Sequence, residues 1–190
     1  MKAGGWRLDL NPERPIVIRA SVLRDIAAHA RDAWPNECCG LLIGDTHTID
    51  AVHRARNLHD SPARYLVQPE DHFAAIRRAR VRALEVVGAY HSHPGGRPRP
   101  STVDRDEAQP AEFIYVIAGT RRIRRRRCRR APLPRGWRTT PGMPSHEGIR
   151  LRGSSRRPFE ISTAWVDGHW IAAWRLVQGN FVHVPFVRDT

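Results

Sequence analysis

Apolar and polar positions alternate in short stretches through residue 119 and again after residue 159, with a long break between. Ile16 to Arg19 reads as a short strand. Val22, Leu23, Ile26, Ala27 and Ala30 recur at helical spacing, which predicts a helix from a Ser21 cap to about Trp34, where Pro35 and Asn36 stop it. Cys38 to Ile43 is an apolar strand ended by Gly44 and Asp45, and Thr48 to Ala55 and Arg64 to Val67 read as further strands. Pro69 suits the first turn of a second helix running to about Leu84. Val86 to His93 is a central strand, Pro94 to Pro100 a Pro/Gly loop, Thr102 to Ala108 a helical turn, and Phe113 to Ala118 another apolar strand. Alternation resumes at Glu160 to Val166, Trp170 to Leu176 and Asn180 to Pro185, where Trp165, Trp170, Trp174 and Phe181 read as core or interface residues.

The break divides the chain into a domain made of 1–119 and 159–190 and a basic insertion at 120–158. The insertion has few apolar residues and no period, so it buries too little to offset its chain entropy and is expected to be disordered. It holds fourteen arginines and one acid, Glu147, which accounts for the whole net charge of +13. The rest of the chain is balanced. A run such as Arg121 to Arg130 offers salt-dependent contact with a polyanion, but no aromatic residue is interleaved with it. A chain of 190 residues suits one domain. No apolar run reaches the ~18 residues that a bilayer span needs, and residues 1–10 lack the features of a secretory signal. Three cysteines, two of them adjacent, make a poor disulfide framework. A cytoplasmic protein is expected.

The chemistry concentrates in Tyr90-His91-Ser92-His93-Pro94 and Ser101-Thr102-Val103-Asp104. Strand alternation puts both imidazoles on one face, roughly 6 to 7 Å apart at the backbone. Asp104, brought back by the loop, adds an oxygen. Two histidines and a carboxylate leave a tetrahedral zinc one open position, the layout of a catalytic site. Glu37, at the mouth of a buried strand, is placed to act as the base for a water there. Ser101 offers a hydroxyl to a developing oxyanion. Cys39 shares a strand face with Glu37; it reads as a small buried packing residue, with a thiol near the metal as the alternative. An amidohydrolase barrel needs about 250 residues. A metallo-β-lactamase would show Asp-His after His93, and a zinc deaminase His-x-Glu with Cys-x-x-Cys; neither occurs.

Glu37, then His91-Ser92-His93, seven residues, Ser101, two residues and Asp104 match at every position the motif of the JAMM, or MPN-plus, zinc metallopeptidases. The resemblance covers about Pro15 to Gly119 and the strands after Glu160, and it is closest to the single-domain prokaryotic members. It implies an α/β fold of the cytidine-deaminase-like kind, a mixed curved sheet flanked by helices. It also implies one zinc on His91, His93 and Asp104, Glu37 as general base, and Ser101 as stabiliser of the tetrahedral intermediate. The implied substrate is a small ubiquitin-like or sulfur-carrier protein, cut at its Gly-Gly tail or freed from a cysteine adduct.

Overall fold

The computed structural model describes residues 15–45, 47–108, 113–120 and 163–189. The chain divides into two units, Met1–Arg122 with Phe159–Thr190, and Ile123–Pro158. The basic stretch, with Arg121 to Arg130, lies outside the described residues.

In chain order the elements are β1 (Ile16–Arg19), α1 (Ala20–Asp32), β2 (Cys39–Gly44), β3 (Thr48–Ala55), α2 (Pro69–Val81), β4 (Glu85–His93), α3 (Thr102–Asp106), β5 (Ile114–Gly119), β6 (Ala164–Val166), β7 (His169–Val177), β8 (Asn180–Val184) and β9 (Phe186–Asp189). Among the described residues, all nine strands join one mixed sheet in the order β6-β7-β5-β4-β2-β3-β1-β9, with β8 also on β7. The pairs β1–β3, β1–β9 and β4–β5 are parallel and the rest antiparallel. Only Pro185 separates β8, at one end of the sheet, from β9, at the other, and its carbonyl accepts from Ile16 N–H at 3.1 Å. The two ends are therefore close together, and the sheet curves almost to closure.

That curve makes two faces with different tasks. α1 presents Val22, Leu23, Ile26, Ala27 and Ala30 to one face, where they pack with Ile18, Leu42, Tyr90, Val116, Ala173 and Phe186. Burying a large aliphatic side chain is worth about 1.5–3 kcal/mol, so this cluster supplies most of the fold's cohesion. Gly40 pairs with Tyr90 across β2 and β4, and a Cβ at Gly40 would lie 2.4 Å from the Tyr90 ring; the missing side chain is what admits the tyrosine. α2 covers the other face, packing Ala75 against Leu41 and Ala89 and burying Ala79 as well.

Four sequence expectations need correction. Ser21 lies inside α1: the chain passes straight from β1 into the helix, and Arg19, still extended, is the cap position. α2 ends at Val81, and Ala83 takes a positive φ of 53°. Arg64 to Val67 forms no strand beyond one bridge between Asn57 and Val67, because the Asn57 side chain takes up its backbone groups. That amide donates to the Arg64 carbonyl at 3.1 Å and accepts from Leu66 N–H at 3.0 Å. Finally, the chain after Pro185 forms β9, which was not foreseen. No helix among the described residues is long and apolar enough to cross a membrane.

His29, on α1, sits 2.8 Å from the Tyr90 hydroxyl. Burial, helped by the charge of Arg54 and opposed by Asp32, lowers its pKa from 6.5 to about 4. Between those values the unfolded chain holds a proton that the folded chain refuses, so stability falls as pH drops through that window. A Tm titration of the parent beside His29→Gln should show a steeper fall from pH 6.5 to 4 in the parent. Parallel curves would contradict this.

Candidate metal centre

β4 runs through the middle of the sheet, and its last residues emerge where β2 begins. Register places Cys39 opposite His91 and Leu41 opposite Ala89, while Ala89 and His91 align with Tyr115 and Ile117 on β5. His91 thus stands on the α2 face, away from the large core. Ser92 points the other way and ties the strands together: its Oγ accepts from Cys38 N–H at 2.9 Å, and its N–H donates to the Cys38 carbonyl at 3.1 Å. Glu37 is fastened on both sides, its N–H donating to Ser61 O at 2.9 Å and its carbonyl accepting from Asn57 Nδ2 at 3.0 Å.

Asp104 arrives through α3. Ser101 caps that short helix in a reciprocal box: its Oγ accepts from Asp104 N–H at 3.1 Å, and the Asp104 carboxylate accepts from Ser101 N–H at 2.5 Å. The cap on the Asp104 N–H uses an oxygen lone pair of Ser101 and does not consume its hydroxyl proton.

The four side chains converge. His91 Nε2 lies 3.0 Å from His93 Nε2 and 3.1 Å from Asp104 Oδ1. His93 Nε2 lies 3.4 Å from Asp104 Oδ2 and 3.9 Å from Glu37 Oε1. His93 Nδ1 is 2.9 Å from the Arg97 carbonyl, which can only accept, so a proton sits on Nδ1 and Nε2 is the ring atom turned to the site. Among the described residues His91 Nδ1 is buried without a partner, so the polar business of that ring is also at Nε2. Ligands at 2.0–2.1 Å around a tetrahedral zinc stand about 3.3 Å apart. The two Nε2 atoms at 3.0 Å fit that, each ring has a different Asp104 oxygen at 3.1 or 3.4 Å, one ligand atom from each of the three residues lies within 4.8 Å of the others, and the N, N, O donor set suits the ion.

Electrostatics agree with a cation site. Burial alone would raise the Asp104 carboxyl, but hydrogen bonds from His91, His93 and Ser101 hold it well below the ordinary carboxylate range. Glu37 is only 5% exposed, and burial pushes it up to about 8, with His93 pulling down and Asp104 pushing up. A cation beside it would favour the ionised form.

Each of the residues expected from sequence is therefore in this neighbourhood. Cys39 is fully buried opposite His91, its Sγ 3.9 Å from the Ala55 carbonyl, and burial raises the thiol to about 12, where it is a poor nucleophile. Sequence reasoning missed three supports. Tyr65 stacks on His91, ring centroids 4.5 Å apart and 21° from parallel, and burial raises its phenol. Asn57 holds the Glu37 carbonyl, and Ser92 holds the next residue, Cys38, by its N–H and carbonyl. Only an asparagine and a tyrosine in a nominal strand hinted at the first two, and neither carries a motif. Beside Asp104 a cavity of about 830 Å³ opens, walled by Leu41, Tyr65, Ala89, Val103 and Tyr115.

Residues 19–131 match the family of prokaryotic homologues of the JAB domain. The chain is 33% identical over 107 residues to a desampylase of Haloferax volcanii, covering 53% of this chain and 77% of that protein. It is 34% identical over 110 residues to a CysO-cysteine peptidase of Mycobacterium bovis, covering 56% and 74%. A solution structure of a Desulfitobacterium hafniense protein shares the fold at a TM-score of 0.62, with 20% identity and 92% of both chains covered. The family match spans more than half the chain and includes Glu37, both histidines, Ser101 and Asp104: the protein belongs to the prokaryotic JAB-domain family and is a peptidase-type hydrolase.

Proposed function

We propose that the chain is a zinc peptidase that cuts after the Gly-Gly tail of a small ubiquitin-like or sulfur-carrier protein, carrier–cysteine adducts included. The observation that carries this is the convergence of His91, His93 and Asp104 on one point with buried Glu37 beside it. The names of the two relatives support the substrate class. Zinc bound there would supply Lewis-acid activation of a water and of the scissile carbonyl. Glu37 takes the attacking water's proton at its carboxylate and delivers it to the departing nitrogen. The Ser101 hydroxyl donates to the oxyanion as it forms. Tyr65 and the Arg97 carbonyl hold the two imidazoles in place. The test is to offer the protein a carrier ending in Gly-Gly joined to cysteine or a short peptide, beside the same carrier with both tail glycines replaced. Cleavage of the first after the second glycine is expected. Equal cleavage of both, or of neither, contradicts the substrate assignment.

Ser101→Ala should lower kcat by about 10²- to 10³-fold, the usual effect of removing one oxyanion donor. Zinc affinity should hold. A fall in affinity with unchanged turnover would mean that Ser101 serves only to cap the turn bearing Asp104.

The same reading makes the architecture a cytidine-deaminase-like sandwich and 120–158 an insertion between β5 and β6. Gly119 of β5 and Trp165 of β6 both face Trp170 of β7, from opposite sides. Both strands run antiparallel to β7, so β5 and β6 are parallel to each other and their link must cross over β7, which takes about a dozen residues. Replacing 121–157 by a flexible linker of about six residues, which with residues 120 and 158–163 makes up that length, should leave a zinc-binding enzyme; an insoluble product would show the boundary to be wrong.

A further inference from the structure

The loop between His93 and Ser101 does more than connect. It supplies the carbonyl of Arg97 to His93 Nδ1, and so fixes the orientation and tautomer of that imidazole. A Pro/Gly-rich loop can make such a contact reliably only if something else holds it. Three contacts with the sheet do so. Gly95 N–H donates to Thr120 Oγ1 at 2.8 Å. The backbone of residues 96–98 rests on Gly119, where a Cβ would come within 2.7 Å of Gly96 O, Arg97 C and Pro98 N. The indole of Trp174 donates from Nε1 to the Pro98 carbonyl at 3.1 Å.

Trp174 is well built for this. It lies on β7 opposite Tyr115 of β5 and His183 of β8, and its ring meets His183 edge-on at 4.9 Å. The ring is thus held by neighbours on the sheet while its N–H reaches the loop. The carbonyl it engages belongs to the residue next to Arg97. Trp174 also stands beyond residue 131, where the family match ends.

We infer that Trp174 is a positioning residue for the metal ligand His93, acting through the Pro98 and Arg97 carbonyls, with Thr120 as the second clamp on the same loop. This rests on the reading of His91, His93 and Asp104 as a zinc site. Loss of the indole donor frees the loop, the Arg97 carbonyl departs from His93 Nδ1, and the ring no longer presents Nε2 steadily. Groups that orient a metal ligand from behind typically change affinity by about 10- to 100-fold. Trp174 acts one link further out, so about tenfold is expected.

The experiment is zinc affinity by chelator competition on the full chain, for the parent, Trp174→Phe, Thr120→Val and Trp165→Phe, with the visible spectrum of each cobalt-loaded protein. Trp174→Phe should bind zinc about tenfold more weakly and shift the cobalt bands, while melting like the parent when metal-free. Trp165→Phe, an exposed ring on β6, should match the parent. An unchanged affinity and spectrum in Trp174→Phe overturns the inference. So does a lower metal-free Tm without a change in affinity, which marks a purely structural tryptophan. Should Trp174→Phe not fold, Thr120→Val decides: weaker zinc binding sustains the clamp, and parental binding overturns it. A parent protein that binds no zinc removes both this inference and the site reading, whereas parental binding with an unaffected Trp174→Phe removes this one alone.

Discussion

Glu37→Gln is expected to keep its zinc and to lose hydrolysis by about 10³-fold or more, toward the upper end of what a general base contributes. The amide has the same shape, so the tie of the Glu37 backbone to Asn57 and Ser61 and the buried setting of the side chain persist. It cannot accept a proton. The side chain stands 3.9 Å from His93 Nε2, farther than the 3.0 to 3.4 Å between the other three groups and within reach of a water on the metal's open side. Turnover and metal content measured together check this. Near-parental turnover removes Glu37 from the mechanism, and loss of the metal makes it a ligand.

His91→Ala/His93→Ala is expected to bind no zinc above background and to be inactive, yet to remain folded. The large apolar cluster around α1 lies on the opposite face of the sheet from both imidazoles, so emptying the site leaves it untouched. What is lost is the linkage stabilisation, about 4 kcal/mol when free zinc stands a thousandfold above its Kd. The double variant should therefore melt like the metal-free parent, and its Tm should not respond to added zinc. Full zinc occupancy in this variant would refute the ligand assignment.

The site was more legible in the sequence than its supports. His91 and His93 obey strand alternation, Asp104 stands at the third position of a helical turn capped by Ser101, and Glu37 stands just before β2; their match to the motif of a known family is what links the distant Glu37 to the other three. Tyr65, Asn57 and Trp174 act through contacts between residues far apart in the chain, which no local period encodes. The strands with strong apolar runs, β2, β4 and β5, came out within a residue or two of expectation. Arg64 to Val67 did not, because a strand needs a neighbour for its amides and the Asn57 side chain supplied one instead. β9 was hidden by Pro185, which reads as a terminator; here it only breaks the ladder between two strands that pair at opposite ends of the sheet.

Everything turns on whether this cluster performs metal-dependent hydrolysis. Cleavage of a Gly-Gly-tailed carrier adduct should be followed in protein stripped by a chelator and then titrated with zinc. Activity should vanish on stripping and return in full at about one zinc per chain, as a single three-ligand site requires. Undiminished cleavage by metal-free protein, or recovery that needs several zinc ions per chain, would contradict the assignment of His91, His93 and Asp104 as the catalytic centre.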